Sequence, residues 1–362
     1  MSTIKAYETA AGKRYRVRYR KPDGSQTDKR GFRTKRDAEL FAATVEVKKA
    51  RGEYVDPSLG RVTVAERSKS WLSAKKARAK ASYYRTLEIA WHTHVEERWG
   101  GIRLVDIEFS DVQDWVSELA EKRSATVVIR AHGILAGILD TAVRDRRLAR
   151  NEARGVVLPR KRKKKHVYLS HLQVEQLAAE SREKATLVRV LAYTGVRWGE
   201  ATALRVSDVD FGRRRLYVHE NAVRVGPKTV VDDTKGGKAR WVPFAPFLEF
   251  GLRAAAKGKR ADELLFGDGE NYLKTPDYRD GWYAGAKKRA GLPESLTIHD
   301  LRHSAASFAV AAGANVKALQ RMLGHESAAM TLDVYADLFD DDLDKVADAL
   351  ERSRDEALGA TA

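Results

Sequence analysis

The feature that most limits the possible folds is a change of hydrophobic periodicity along the chain, which coincides with six consecutive basic residues, 160–165. Before this run, residues 61 to about 158 have the 3.6-residue periodicity of helices. After it, from about 166 to 345, helical patterns surround two strand-like stretches, RRLYVHENAVRV and VDDTKGGKARWVPF. The pattern predicts a helical domain followed by a separate mixed domain.

Local signals divide the helical region. Thr63 with Glu66, and Ser110 with Gln113, have the spacing of capping boxes that begin helices, and a further helix is predicted to start at Ser124. His92 and His94 fall inside this region, and their placement favours packing over metal binding.

The first 60 residues predict a β-hairpin followed by a helix. Tyr15, Val17 and Tyr19 alternate with basic residues, which gives one apolar and one basic face; the basic residues are Arg14, Arg16, Arg18 and Arg20. The turn is predicted at 22–24, and Thr34 begins the helix. Such a basic face could enter a DNA major groove, although a solvated edge strand is the alternative.

The basic run lies in a predicted linker, residues 159–169. Like charges repel, so the run stays extended unless it contacts an anion. It could be a nuclear-import signal, but a strap across a DNA backbone suits this chain better; the residues concerned are Arg160, Lys161, Arg162 and Lys163.

Composition narrows the function classes. The net charge of +17 and a pI near 9.8 favour a polyanionic partner, although ribosomal and membrane-surface proteins share such values. The absence of cysteine excludes disulfides, thiolate nucleophiles and cysteine-based zinc sites. There is no apolar signal core and no run of 18 apolar residues, so we expect a cytosolic protein without a membrane partner.

Several short motifs of the mixed region carry candidate chemistry. In YTGVRWGE, Gly195 can end one helix so that Arg197 begins the next, where Glu200 can hold its guanidinium; a purely structural ion pair is the alternative. In HDLRH, His299 and Arg302 project together from a helix start, which suits an anion with several oxygens.

Three more residues complete the candidate set. Lys235 precedes Gly236-Gly237, predicted as a tight hairpin turn, where it is either solvated or able to deliver a proton. His325 and Tyr335 lie ten residues apart, and Tyr335 shares an apolar stripe with Leu332, Leu338 and Phe339, so it could simply pack in the core. Two arginines, two histidines and a lysine around one tyrosine would neutralise a phosphate without a metal ion.

In their order along the chain, these residues resemble the tyrosine recombinases of the phage integrase family. Every signature position is filled: Arg197, Lys235, His299, Arg302, His325 and Tyr335, with Glu200 in support. The resemblance implies a mainly α fold with small β-sheets (α+β) in three domains. These are an arm-type DNA-binding domain at 1–60, a helical core-binding domain at 61–158 and, after the linker, a catalytic domain at 170–345, with an acidic tail at 346–362.

The resemblance also implies a mechanism. Tyr335 would form a 3′-phosphotyrosyl bond, Arg197 and Arg302 would bind the non-bridging oxygens with His325, and Lys235 would protonate the 5′-oxygen. His299 would assist proton transfer at the nucleophile. Neither a metal nor another cofactor would be required, because the protein–DNA bond conserves the bond energy.

The implied partners are double-stranded DNA with core-type and arm-type attachment sites, a homotetramer on that DNA, and a host DNA-bending protein and excisionase, all in the bacterial cytoplasm at the nucleoid. The apolar stripe of the tail, with Leu343 and Leu350, either folds onto its own domain or docks on a neighbouring protomer. The alternatives to a recombinase are a type IB topoisomerase and a non-catalytic architectural DNA-binding protein.

Overall fold

The computed structural model describes residues 2–52, 54–56, 58–161, 166–234, 238–277, 279–335 and 342–359, the last segment in part by its backbone alone. It divides into two compact units, residues 1–163 and 164–362. Most of the described residues are helical, and their strands form three small sheets. The predicted mainly α, α+β fold class is therefore confirmed.

The first unit begins with an antiparallel sheet of three strands, one more than the predicted hairpin: β1 (Thr3–Thr9), β2 (Gly12–Arg20) and β3 (Gln26–Phe32), in the order β1-β2-β3. Helix α1 (Lys35–Ala50) begins at Thr34, whose side chain accepts a hydrogen bond from the Asp37 N–H. The helix packs Ala38 and Val45 against Val17 and Tyr19 of β2. The basic side chains of β2 alternate with these buried residues, as predicted.

Five helices follow in the same unit: α2 (Val64–Arg78), α3 (Ala81–Ala90), α4 (Glu96–Trp99), α5 (Phe109–Lys122) and α6 (Ala125–Arg144). A single π turn, Trp91–Val95, joins α3 to α4. Their shared core includes Trp91, Trp99 and Trp115, and the rings of Trp99 and Trp115 meet edge to face at 5.8 Å.

The two predicted capping boxes have different outcomes. Thr63 and Glu66 make both reciprocal hydrogen bonds of a capping box. The prediction for Ser110 is wrong, because α5 begins two residues earlier, with Glu108 as its N-cap residue. Gln113 instead accepts from the N–H of Val157 and donates to its carbonyl, so it fixes the chain that leaves α6.

Helix α6 has the length and mean hydropathy of a membrane span, the one such helix among the described residues. Half of its most apolar window is buried, and Val128, Ile134, Leu135 and Leu139 belong to the core of the helical unit. The core helix of a globular unit meets the same criteria of length and composition, so they are weak evidence for a membrane span.

The second unit contains nine helices and five strands in its described part. The helices are α7 (His171–Glu180), α8 (Ala185–Thr194), α9 (Trp198–Ala203), α10 (Glu249–Ala256), α11 (Gly281–Arg289), α12 (Asp300–Ala311), α13 (Val316–Leu323), α14 (Ala328–Tyr335) and α15 (Asp342–Gly359). The strands are β4 (Val209–Asp210), β5 (Arg215–Val218), β6 (Glu220–Val225), β7 (Lys228–Asp233) and β8 (Arg240–Pro243).

The sheet pairing corrects the predicted hairpin at Gly236-Gly237. Strand β7 pairs with β6, whereas β8 pairs with β5 in the order β4-β5-β8. Strands β7 and β8 therefore belong to different sheets, and the hairpin of β7 turns at Gly226, which has φ of 64°. Lys235, Gly236 and Gly237 themselves lie outside the described residues.

Two contacts between elements of this unit determine where its polar groups lie. Helix α12 packs against α8, and α9 packs against β6. Gly199 makes the second contact possible, since a Cβ there would lie 2.6 Å from the carbonyl oxygen of Ala222. The C-terminal end of α8, the start of α9 and the first turn of α12 are consequently close together.

Two glycines of α6 allow a test of core packing in the helical unit. A Cβ at Gly137 would lie 2.9 Å from the ring of Trp71, whereas a Cβ at Gly133 meets nothing within 4 Å. We expect Gly137→Ala to destabilise the chain by about 1–3 kcal/mol through overpacking. The matched Gly133→Ala change should stabilise it by about 0.5–1 kcal/mol, because alanine favours the helix. Denaturant unfolding followed by tryptophan fluorescence measures both, and equal effects would contradict this packing.

Candidate active site

Arg197 and Glu200 form the first part of the site. Gly195, with φ of 65°, ends α8 in the left-handed conformation, and Arg197 is the N-cap residue of α9, as predicted. The guanidinium of Arg197 donates to Oε1 of Glu200 at 2.8 Å, and its backbone N–H donates to Oε2 at 2.9 Å. Glu200 is 1% exposed, so this pair fixes the guanidinium at the edge of the core.

Arg240 is a member of this cluster that the sequence interpretation missed. Two of its nitrogens donate to the two oxygens of Glu200, at 3.1 and 2.7 Å, and its Nε donates to the carbonyl of Met322. Burial opposes the ionisation of Glu200, but the hydrogen bond and charge of Arg240, followed by the charge of Arg197, lower its pKa overall. No local spacing reveals this contact, because 40 residues separate the partners.

Arg302 is buried beneath the same region. Its two terminal nitrogens donate to the carbonyls of Gly195, at 2.5 Å, and Leu323, at 2.7 Å, which are the C-terminal ends of α8 and α13. Burial, and then the charge of Arg197, lower the pKa of Arg302 to about 9, so it remains a cation at neutral pH. Arg302 therefore holds a positive charge between two helix ends.

Tyr335 ends α14 and is 1% exposed. Its ring packs in a small core with Ala306, Val310, Leu319 and Leu323. The predicted stripe is wrong for Leu332, which is 41% exposed, and its members Leu338 and Phe339 lie outside the described residues. Residues of α12 and α13 thus surround the tyrosine, and Val334 of its own helix packs against the same core.

Two histidines contact or face the Tyr335 ring. Nδ1 of His303 lies 2.8 Å from the Tyr335 hydroxyl oxygen, and the His325 ring is parallel to the tyrosine ring at 6.3 Å. His325 Nδ1 also lies 3.0 Å from the Thr331 hydroxyl, which orients the imidazole. His303 was missed, although it lies one turn after His299 on the same face of α12, a spacing that could have identified it.

His299 lies at the N-cap position of α12 with an exposed side chain. Its ring meets that of His303 edge to face at 5.1 Å. Desolvation, followed by the charges of Arg302 and Arg197, lowers the pKa of His299. The structure thus brings together Arg197, Glu200, His299, Arg302, His325 and Tyr335.

The remaining predicted residues lie elsewhere or outside the described residues. Lys235, Arg162 and Lys163 are not described, while Arg160 and Lys161 lie in an irregular segment of the first unit. On β2, Arg18 and Arg20 are exposed, and Arg16 lies 4.0 Å from Asp28. Arg14 is partly exposed on the same strand.

One group of side chains in the described residues has metal-ligand spacing: His166, Asp300 and His303, whose ligand atoms lie within 4.8 Å of one another. Oδ2 of Asp300 already accepts hydrogen bonds from the N–H and hydroxyl of Thr297. The charge of Arg302 acts on His303. These surroundings disfavour a divalent cation, because a guanidinium beside the group repels it.

The electrostatics of Tyr335 define what the site must supply. Burial raises the pKa of Tyr335 to about 12, although the charges of Arg302 and Arg197 oppose this shift. A phenol with such a pKa is almost entirely protonated at neutral pH, so its use as a nucleophile requires a proton acceptor. Arginines and histidines around a tyrosine suit attack on a phosphate.

Comparisons with known proteins identify the family. The family model described as "Phage integrase family" matches residues 167–341, and "Phage integrase, N-terminal SAM-like domain" matches residues 63–120. The integrase of Mycobacterium phage L5 is 30% identical over 287 residues, covering 75% of this chain and 74% of its own. A putative prophage phiRv2 integrase of Mycobacterium tuberculosis is 28% identical over 340 residues, covering 88% of each chain.

Solved structures agree in fold. The Tn1549 transposon integrase (residues 82–397), in complex with a circular intermediate DNA, has a TM-score of 0.66 at 21% identity and covers 80% of this chain and 99% of its own. A lambda integrase dimer bound to a COC′ core site has a TM-score of 0.59 at 16% identity, with 91% and 93% covered.

The protein thus belongs to the class of DNA strand transferases that use a tyrosine. The chain belongs to the phage integrase family, the tyrosine recombinases, and is an enzyme that cleaves and rejoins DNA strands. The predicted family, enzyme class and function are confirmed.

The buried pair of Arg240 and Glu200 can be tested by a double-mutant cycle. Arg240→Met should destabilise the chain by about 3–5 kcal/mol, because it leaves a buried carboxylate short of its compensating charge. The double variant Glu200→Gln/Arg240→Met should lose clearly less than the sum of the single changes.

The matched control is Arg253→Met, which removes an exposed ion pair with Glu249 and should cost less than about 1 kcal/mol. Urea unfolding of the full chain gives all the values. An Arg240→Met variant as stable as the Arg253→Met variant would contradict the role of this pair.

Proposed function

We propose that this recombinase is a site-specific integrase in which Tyr335 attacks the scissile phosphodiester and carries the cleaved strand through a 3′-phosphotyrosyl bond. The observation that supports it most is the surroundings of the Tyr335 hydroxyl. It is buried, lies against His303 and is within the electrostatic influence of Arg302 and Arg197. A tyrosine placed only for packing would not require two arginine charges around its hydroxyl.

Each remaining side chain of the site has a role in this reaction. Arg302 and Arg197 bind the non-bridging oxygens, whose charge increases in the transition state. His325, held by Thr331, donates a further hydrogen bond to the phosphate. Glu200 holds Arg197 in place. We assign protonation of the 5′-oxygen to Lys235, and no metal or other cofactor takes part.

The resemblance implies that His299 assists proton transfer at the nucleophile. Its exposed side chain beside Arg302 and Arg197 suits a second role, a hydrogen bond to a non-bridging phosphate oxygen.

The first unit would read the DNA at two kinds of site. The basic face of β2, with Arg14, Arg16, Arg18 and Arg20, suits a groove at arm-type sites. The helical part and the basic linker, including Arg160, Lys161, Arg162 and Lys163, would bind the core-type site through its phosphates. The proposed domains are 1–60, 61–158, 159–169, 170–345 and 346–362, although the last boundary falls within α15.

We also propose an assembly of four protomers on DNA, acting in the bacterial cytoplasm at the nucleoid. A lambda integrase tetramer bound to a Holliday junction has a related fold, with a TM-score of 0.60. Leu350 of α15 is 68% exposed, so the tail offers apolar surface to a neighbouring protomer. A host DNA-bending protein and an excisionase complete the proposed set of partners.

A DNA-relaxing enzyme of the type IB class is a less suitable function. Relatives that match most of this chain are named integrases. Relaxation also needs no second DNA-reading module, whereas this chain presents a basic sheet before its helical part.

The nucleophile can be tested with Tyr335→Phe. The variant should bind core-site DNA as the wild type does but form no covalent adduct on a nicked duplex, because it lacks the attacking oxygen. Denaturing gel electrophoresis of labelled DNA detects the adduct. Tyr217→Phe serves as the matched control, since the Tyr217 ring stacks on His219 and lies tilted against Trp241, and it should retain the adduct. An adduct on Tyr335→Phe would refute the assignment.

The proposed arm-type domain can be tested by deleting residues 1–60. The shortened protein should still cleave an isolated core site but fail in integration that depends on arm sites, since it lacks the basic sheet. A milder variant with Arg18→Ala and Arg20→Ala should show the same pattern without loss of the fold. Full integration by both proteins in a plasmid assay would rule out this reading of the domain.

A further inference from the structure

The Tyr335 hydroxyl has an internal hydrogen-bond partner that the proposed mechanism leaves without a role. Tyr335 is 1% exposed, so bulk water does not take its proton directly. The nearest basic atom given by the structure is Nδ1 of His303, at 2.8 Å, within the reach required of a general base. His299 meets the His303 ring, not the hydroxyl.

We propose that His303 is a catalytic residue of this recombinase, the general base that takes the phenolic proton of Tyr335 during cleavage and returns it during rejoining. This proposal rests on the proposed function of Tyr335 as nucleophile. It assigns to His303 the proton transfer at the nucleophile that the sequence had assigned to His299.

An activated nucleophile needs a base and a third group that supports the base. Asp300 is this third group for His303. The two residues lie three apart on α12, and a carboxylate oxygen of Asp300 is within 4.8 Å of a His303 ring nitrogen. Asp300 is itself fixed, because its Oδ2 accepts from the N–H and hydroxyl of Thr297. A fixed carboxylate near the imidazole stabilises the imidazolium that forms when the proton arrives.

The charged and titratable groups around His303 come from three directions. His299, Asp300 and Arg302 lie on its own helix, Tyr335 on α14, and His166 and Tyr168 on the segment before α7. The His166 ring lies over that of His303 at 3.9 Å and is exposed. Burial, followed by the neighbouring histidines, lowers the pKa of His303 to about 4, so the imidazole is neutral at neutral pH, with Nδ1 directed at the Tyr335 hydroxyl.

The proton transfers of cleavage and rejoining balance each other. During cleavage, the bond from Tyr335 Oη to phosphorus forms, its proton moves to His303 Nδ1, and the bond from phosphorus to the 5′-oxygen breaks as that oxygen takes a proton from the general acid. During rejoining, the 5′-hydroxyl of the incoming strand attacks and gives its proton back to that acid. Tyr335 Oη then leaves phosphorus and recovers its proton from His303.

The first experiment compares adduct formation by full-length variants on a nicked core-site duplex between pH 5 and 9. His303→Asn keeps a polar atom near the position of Nδ1 but cannot carry the proton. We expect its adduct to form about 100- to 10,000-fold more slowly, the range of general base catalysis, with DNA binding unchanged. The matched control is His219→Asn, which removes an imidazole that pairs with Asp208. Its adduct should form at a rate within about twofold of the wild type.

Two further measurements separate proton transfer from positioning. Added imidazole should restore part of the activity of His303→Ala, since a free base can occupy the vacated space. A duplex with sulphur in place of the bridging 5′-oxygen has a leaving group that needs no proton. It should restore cleavage by Lys235→Ala but not by His303→Asn.

The outcomes distinguish this inference from the proposed function. An adduct rate of His303→Asn within about threefold of the wild type would reduce His303 to a positioning residue and overturn the inference. Restoration of His303→Asn by the sulphur substrate would also overturn it, because it would place the lost proton transfer at the leaving group. Failure of the wild type to form an adduct would instead refute the proposed role of Tyr335.

Discussion

The rest of the site depends on the ion pairs that the buried carboxylate of Glu200 makes with two arginines. Glu200 is 1% exposed and accepts hydrogen bonds from Arg197 and from both terminal nitrogens of Arg240. A buried charge is tolerable only when it is paired, so α9, β8 and the end of α13 must meet around this one carboxylate. Gly324 shows how closely these elements pack, because a Cβ there would lie 2.8 Å from the Arg240 guanidinium carbon.

The second arginine of the site is held by a different principle. Arg302 donates to the last carbonyls of α8 and α13, groups that have no partner within their own helices. These helix ends carry partial negative charge and so stabilise a buried cation. Together with the Glu200 cluster, this arrangement positions two guanidinium groups before DNA binds, which reduces the reorganisation that charge stabilisation would otherwise require.

As the proposed nucleophile, Tyr335 combines features that are in conflict. Its burial in the small core of α12, α13 and α14 fixes the ring but raises the pKa of the hydroxyl to about 12. The cationic neighbours only partly oppose this shift. Attack by this hydroxyl would require a proton acceptor, and α12 presents His303 at hydrogen-bond distance on the same helix that carries Arg302.

The sequence by itself determined the fold class, the family and the order of the residues that the structure gathers in the site. It did so because helical periodicity, the left-handed Gly195 and the motif containing His299 and Arg302 are local properties of the chain. Only the tertiary structure decided that Arg240 shares Glu200, that His303 contacts Tyr335, and that β7 and β8 belong to different sheets. These contacts join residues 32 and 40 positions apart, and they depend on how helices and sheets pack, which local patterns do not encode.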